Sequence, residues 1–263
     1  MTPLVLHLSP HPDDELIGAP ATLMALRDAG WRVVNLACGL GGRGQRERRE
    51  AELREACVRA GFELRLGDPA APRRAIAAAI DELAPDLVVS PCPQDRHPSH
   101  VRIARAAVAA LEERGEAAPR WWAWALWGAL PRPTLACGFE QPRLEEILAA
   151  LAAHRGELVR NDYRRLVRGR AEAAACLAPE LLFGFGTAAA GAPPYAELLS
   201  ELVWSDGAWR LGSARWLDPS DPPPPPTPLA ATALAHVAFP VDGDLQVLVA
   251  GEEEVGPGEG EEG

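Results

Sequence analysis

Short apolar runs alternate with helical segments through the first 113 residues, and this alternation is the strongest constraint on the fold. Four runs have the length and composition of buried strands: 3–8, 31–37, 62–66 and 86–90. Four further segments carry apolar side chains at helical spacing: 15–29, 45–60, 73–83 and 101–113. Strands separated by helices pair in parallel through crossover connections. The sequence therefore predicts an α/β fold, a three-layer sandwich with a mainly parallel, Rossmann-like sheet flanked by helices.

The alternation loosens beyond residue 120. A tryptophan-rich strand over 121–127, helices over 144–154 and around 171–176, and a hairpin turning at Asp206-Gly207 are predicted there. We expect a main domain over residues 1–217. Three segments are expected after it: a Pro-rich linker (218–228), a C-terminal β-hairpin (229–250) and a disordered acidic tail (251–263).

Charge and cysteine usage exclude several classes of protein. The formal net charge is −11, and all 26 basic residues are arginines, so Schiff-base and phosphate-loop lysine chemistry is excluded. Without clustered positive charge, neither a nucleic-acid nor an anionic-membrane partner is expected. The five cysteines are scattered and never spaced as CxxC, and no secretory signal or membrane span is recognisable. These features predict a cytoplasmic protein.

Two polar clusters follow predicted strands at the same edge of the sheet, where ligands of such sheets collect. The first is HPDDE at residues 11–15, and the second is DRHPSH at residues 95–100. A histidine and a carboxylate three residues apart can converge on one cation, and a ligand from the neighbouring turn would complete a His, Asp, His set with an open position. Acidic residues in a first helical turn also stabilise the helix dipole without any metal, but two clusters after two strands favour a metal site.

Such a site suits hydrolysis. Zinc with three protein ligands lowers the pKa of bound water to ~7 and polarises a carbonyl group. A carboxylate that is not a ligand must then accept the water proton. A further histidine could stabilise the oxyanion or protonate the leaving amine.

These motifs resemble those of the LmbE-like, or PIG-L, zinc-dependent N-deacetylases, which carry HPDD after the first strand and a later HxxH. The resemblance runs from Leu4 to about Glu197. It implies that residues 1–217 form a catalytic domain of this type. By position the resemblance implies that His11, Asp14 and His100 are zinc ligands and that Asp13 is the general base. It further implies that His97 aids the tetrahedral intermediate and that Arg49 binds the substrate.

Three departures from the family pattern prevent the substrate from being carried over. Ser99 stands where the family often has aspartate, and Leu40 stands where it usually has glutamate. Gly156-Glu157 replaces the Ser-Gln of many members. The glycine-rich loop at residues 39–44 also satisfies GxGxxG, the dinucleotide pattern, but it follows the second strand instead of the first. We therefore interpret it as a loop at the rim of the site, with Arg43 as a further substrate contact.

The sequence thus predicts a zinc-dependent hydrolase that removes an acetyl or other acyl group from a sugar-containing small molecule, such as an N-acetylglucosamine derivative. Two alternatives stay open. One is a non-hydrolytic nucleotide- or sugar-binding α/β module, and the other is a zinc amidase acting on a larger amide such as a thiol conjugate. Whether the chain forms homo-oligomers is also left open.

Overall fold

The computed structural model describes residues 2–189 and 191–218, and for Arg43 only the backbone. The strands are Leu4–Ser9 (β1), Arg32–Ala37 (β2), Glu63–Leu66 (β3), Leu87–Pro91 (β4), Arg120–Trp124 (β5), Leu135–Phe139 (β6), Tyr195–Ser205 (β7), Ala208–Leu211 (β8) and Arg215–Trp216 (β9). The helices are Asp14–Ile17 (α1), Pro20–Asp28 (α2), Arg46–Ala60 (α3), Pro72–Leu83 (α4), Pro98–Glu112 (α5), Gln141–Leu151 (α6), Arg155–Arg160 (α7) and Tyr163–Phe183 (α8).

One mixed sheet runs through the described chain in the order β3-β2-β1-β4-β5-β7-β6-β9, with β8 paired to β7. The first five strands in this order are parallel to one another, and β7 then runs antiparallel to both β5 and β6. The α/β sandwich with a mainly parallel sheet is therefore confirmed. Because β1 and β4 are neighbours, the two polar turns that follow them open at the same point of the sheet edge.

Both faces of the parallel sheet are covered, which explains why its strands are apolar throughout. Along β1, Leu4, Leu6 and Leu8 pack towards α4 and α5. Val5 faces the opposite way, into a core shared with the helices on the other side. This arrangement encloses the sheet and leaves its carboxyl edge as the place where polar side chains can meet.

Several predicted boundaries were wrong in ways that matter for the site. The helix expected over 15–29 is two helices, because Pro20 begins α2 and Gly18 lies so close to Trp124 that a Cβ there would be 2.8 Å from the indole Cε2. Helix α5 begins at Pro98, three residues early, so His100 lies in its first turn. The tryptophan-rich strand ends at Trp124, which leaves Trp127 in a loop.

The hairpin at Asp206-Gly207 is confirmed: both residues have positive φ, 53° and 74°, as a two-residue turn requires. The predicted C-terminal hairpin, the acidic tail and all but the first residue of the predicted linker lie outside the described residues. Within the described ranges, no helix is both long enough and apolar enough to cross a bilayer.

Candidate active site

Three imidazoles meet where the turns after β1 and β4 approach each other. The ring centroids of His11 and His97 are 4.8 Å apart, those of His97 and His100 4.9 Å, and those of His11 and His100 5.4 Å. One nitrogen from each ring lies within 4.8 Å of the others. These residues come from two predicted clusters far apart in the chain, so the structure brings the two clusters together. Such a group of nitrogens could hold a metal ion.

The carboxylate of Asp14 lies between two of these rings. Its Oδ2 accepts a hydrogen bond from the His11 amide at 2.8 Å and lies 3.2 Å from His11 Nδ1. Its Oδ1 lies 3.3 Å from His100 Nε2. Burial alone would raise the pKa of Asp14, but the adjacent imidazoles of His100 and His11 hold it well below its usual range. This carboxyl group is therefore ionised, as a metal ligand must be.

His100 gives the sharpest test of whether these residues fit a metal. The ring is 1% exposed, and neither ring nitrogen has a well-formed hydrogen bond to any described residue. Burying an unpaired polar atom is costly, so such atoms in a native fold call for a partner. Nε2 of His100 faces Asp14, and Nδ1 faces the buried carboxylate of Asp95. One nitrogen from His11, one nitrogen from His100 and one oxygen from Asp14 form a donor set that zinc prefers. The residues present fit a zinc ion.

Asp13 is held in an unusual backbone conformation beside this cluster. Its φ is 110°, a region that costs a residue other than glycine about 1–3 kcal/mol. The residue is 5% exposed, and its amide donates to Glu15 Oε2 at 3.0 Å. Burial above all, and then the neighbouring charges of Asp14 and Glu15, raises the pKa of the Asp13 carboxyl well above its ordinary value. A carboxylate with a raised pKa is suited to accept a proton near neutral pH.

His97 occupies the N-cap position of α5, and its hydrogen bond to a backbone amide of that helix distinguishes it from the other two histidines. Its Nδ1 accepts a hydrogen bond from the Ser99 amide at 3.3 Å. Burial, together with the nearby His11 and His100, lowers the pKa of this ring. A neutral imidazole that accepts at Nδ1 carries its proton on Nε2, so we assign that tautomer from the hydrogen bond. In this tautomer Nε2 donates a hydrogen bond instead of binding a metal ion, which favours His11 and His100 over His97 as ligands within the group of three.

Asp95 links the second turn to its surroundings, and the sequence reasoning gave it no role. Its Oδ1 accepts from the His97 amide at 2.8 Å, and its Oδ2 lies 3.5 Å from His100 Nδ1. Oδ2 also accepts from the amides of Leu126 and Trp127 at 2.9 and 3.2 Å. Burial would raise the pKa of Asp95, but His100 and these backbone donors lower it to about 2. A carboxylate behind a metal-binding histidine fixes the orientation and tautomer of its ring. In the sequence, the only sign of this role is that Asp95 lies two residues before the HxxH motif.

A cavity of about 330 Å³ opens over the cluster. Its lining includes the candidate ligands with Asp13 and His97, the indole of Trp127 and an arginine-rich wall: Arg48, Arg49 and Arg160. Trp127 is 41% exposed, unlike the tryptophans of β5, which are buried. Of the two predicted substrate contacts, Arg49 therefore lies at the cavity. The structure gives only the backbone of Arg43, in a short 3₁₀ turn before α3.

The arginine-rich wall is arranged around one buried carboxylate, that of Glu157. Nitrogens of Arg48, Arg49 and Arg160 lie 3.6, 3.3 and 3.0 Å from it. Burial would raise the pKa of Glu157, but Arg49 and its neighbours lower it. Arg48 passes directly over Gly156, where a Cβ would lie 1.6 Å from its Nη1. The Gly156-Glu157 departure noted in the sequence therefore shapes this wall.

Comparison with known proteins supports the resemblance found in the sequence. Residues 6–111 match the model of the family described as PIG-L, GlcNAc-PI de-N-acetylase. The resemblance to the PIG-L, or LmbE-like, deacetylases is thus confirmed over the segment that carries the candidate ligands. A search of curated proteins gives no match.

Solved structures share the fold. The conserved protein TT1542 from Thermus thermophilus is 24% identical with a TM-score of 0.60, over 76% of this chain and 94% of that one. N,N'-diacetylchitobiose deacetylase from Pyrococcus horikoshii is 18% identical with a TM-score of 0.57, over 75% and 83%. GalB, the 4-carboxy-2-hydroxymuconate hydratase from Pseudomonas putida, is 18% identical with a TM-score of 0.60, over 76% and 96%. All three are less than 25% identical to this chain, so these likenesses show a shared fold.

Proposed function

We propose that the protein is a zinc-dependent N-deacetylase that removes the acetyl group from an N-acyl amino sugar. The observation that carries the proposal is the buried His100 ring, whose nitrogens lie 3.3 and 3.5 Å from the Asp14 and Asp95 carboxylates without a well-formed hydrogen bond. It lies beside His11 in a cavity that also contains Asp13 and His97. The fold alone would not decide the reaction, because it is shared with a protein described as a hydratase.

His11, Asp14 and His100 would hold the metal. When bound there, zinc supplies a Lewis acid for the amide carbonyl and lowers the pKa of a water molecule to ~7. His97 is kept out of the ligand set by the tautomer that the Ser99 amide selects.

Asp13 and His97 then have complementary tasks. Asp13 accepts a proton from the water molecule while the water oxygen bonds to the amide carbon. The raised pKa of the Asp13 carboxyl favours that transfer. Nε2–H of His97 donates a hydrogen bond to the oxygen that becomes negative in the tetrahedral intermediate. Asp13 passes its proton to the nitrogen as the C–N bond breaks, which leaves acetate and a free amine.

The cavity supports a sugar-sized substrate. A volume of about 330 Å³ lies at the small end of ligand sites. The exposed indole of Trp127 offers an apolar face, and the guanidinium and carboxylate groups of the same cavity can bond to hydroxyls. The P. horikoshii neighbour is described as acting on N,N'-diacetylchitobiose, also an N-acetylated sugar.

Metal content and amine release from N-acetylglucosamine test the proposal together. We expect about one zinc per chain, loss of activity on chelation, and recovery when zinc is returned. Asp14→Asn should lower zinc content and activity, whereas Asp81→Asn, which changes an exposed aspartate of α4, should alter neither. Amine release by the metal-free protein would contradict the proposal. Binding of the sugar without turnover would favour the binding module, and turnover only of larger amides would favour the thiol-conjugate amidase.

We further propose a cytoplasmic location. All five cysteines are free and four of them are buried, which supports a reducing compartment. A small-molecule amide is the partner expected for the site.

A further inference from the structure

A buried histidine–carboxylate contact lies behind the candidate active site, formed by residues far apart in the chain. His154 Nε2 lies 2.6 Å from Glu15 Oε1, and the two side chains are 1% and 0% exposed. His154 is the N-cap residue of α7. Its side chain makes no capping hydrogen bond to α7 and is not part of the cavity lining. Its Nδ1 has no hydrogen bond to a described residue, so the ring is bonded through Nε2.

The second oxygen of the same carboxylate reaches the candidate base. Glu15 Oε2 accepts the amide hydrogen of Asp13 at 3.0 Å. Asp13 has its left-handed φ at this point, and such conformations persist only where the surroundings hold them. A chain of contacts therefore runs from the His154 ring through the Glu15 carboxylate to the Asp13 backbone.

Stability alone is a weak reason for such a pair. Even a fully charged pair of buried side chains often contributes no more than apolar side chains of the same volume would. The pair does fix the direction of the Glu15 carboxylate, since each oxygen has its own partner. Through its hydrogen bond to the Asp13 amide, the oriented carboxylate holds the backbone of Asp13 in place. The backbone in turn sets the direction of the Asp13 side chain.

We propose that His154 and Glu15 are positioning residues for Asp13. This inference rests on the proposed function, in which Asp13 is the base. The ring orients the carboxylate, and the carboxylate holds the turn in the conformation that presents Asp13 to the water. A misplacement of about 1 Å in a catalytic group can lower turnover about 100-fold.

Amide hydrogen exchange followed by NMR tests the chain of contacts without any turnover. In the wild-type protein we expect the Asp13 amide to exchange at least about 100-fold more slowly than an unprotected amide, as a buried bonded donor does. His154→Leu should remove most of this protection, and His154→Gln, which keeps an amide donor for Glu15, should retain it. Fast exchange in the wild type would overturn the proposal, even if the variants do not fold.

Kinetics then separate positioning from general destabilisation. His154→Leu should lower kcat about 10- to 100-fold with KM and zinc content unchanged, and His154→Gln should recover most of the loss. Glu201→Gln is the control, because it disturbs a buried ion pair on β7, outside the cavity lining. It should leave kcat unchanged. Equal kcat losses in His154→Leu and Glu201→Gln would overturn the proposal.

Failure of the proposed function has a different signature. A wild-type protein with a protected Asp13 amide and no amine release would contradict the deacetylase and leave the chain of contacts standing. A wild-type deacetylase whose kcat and Asp13 exchange are both unaffected by His154→Leu would contradict the positioning and leave the deacetylase standing.

Discussion

Replacing Asp13 with asparagine should have opposite effects on activity and stability. The amide has nearly the shape of the carboxyl but cannot accept the proton, so kcat should fall by about 10²–10⁴, the usual contribution of a general base. Zinc content should stay near the wild-type value, because Asp13 is not among the residues placed to hold the metal.

The stability gain follows from the surroundings of the residue. Asp13 is 5% exposed, adjoins the ionised Asp14 and has a φ of 110°. An asparagine side chain has no ionised form that burial would penalise, and asparagine adopts positive φ more readily than most residues. Substitutions that relieve an unfavourable active-site group commonly add about 0.5–2 kcal/mol. At this chain length, 1 kcal/mol corresponds to a Tm change of roughly 2–4 °C.

The measurements are amine release from N-acetylglucosamine, zinc analysis, and thermal unfolding of wild type and variant in chelator. Asp81→Asn again serves as the control and should match the wild type in all three. Full activity of Asp13→Asn would refute the base assignment. Loss of zinc would move Asp13 into the ligand set, and a lower Tm would refute the argument from buried charge.

Three further predictions concern other parts of the molecule. In the native protein, a thiol reagent should modify Cys176 and no other cysteine, since the other four are buried; full reaction with all five before unfolding would contradict the packing. Arg215→Ala should lower the free energy of unfolding by about 1–3 kcal/mol at pH 7, because it removes a hydrogen-bond partner of the buried Glu201 carboxylate. Burial would raise the pKa of Glu201, but Arg215 lowers it. The stability difference between wild type and variant, measured by urea unfolding, should therefore shrink as the pH falls below ~4. Asp95→Asn should weaken zinc affinity about 10- to 100-fold by freeing the His100 ring, and unchanged affinity in a metal titration would contradict that role.

Local patterns were enough to place the candidate site. The apolar run before His11 and the one before Asp95 each predict a buried strand, and the topology rules for parallel sheets bring their ends together. Those rules depend on spacing along the chain, which the sequence shows directly. The resemblance added roles for individual residues, and those roles remain proposals.

The contacts that organise the site were beyond such reasoning. His154 reaches Glu15 across 139 positions, and no period or spacing connects them. Trp127 lies at the cavity, in the loop after β5, which ends at Trp124 instead of continuing to residue 127. Helical spacing predicted one helix from residue 15 to 29, because it carries no information about the indole that occupies the break. Tertiary contacts decided each of these details.

The two halves of the chain contribute different parts of the candidate site. All candidate ligands and the base lie before residue 101, in the turns and helix starts that follow parallel strands. Gly156, Glu157 and Arg160 come from the half that continues into the antiparallel strands. Replacements in the later half can thus remodel the mouth of the cavity while the coordinating groups stay where they are. Apart from His154, which we propose positions Asp13, selectivity and chemistry are to that extent separately adjustable in this architecture.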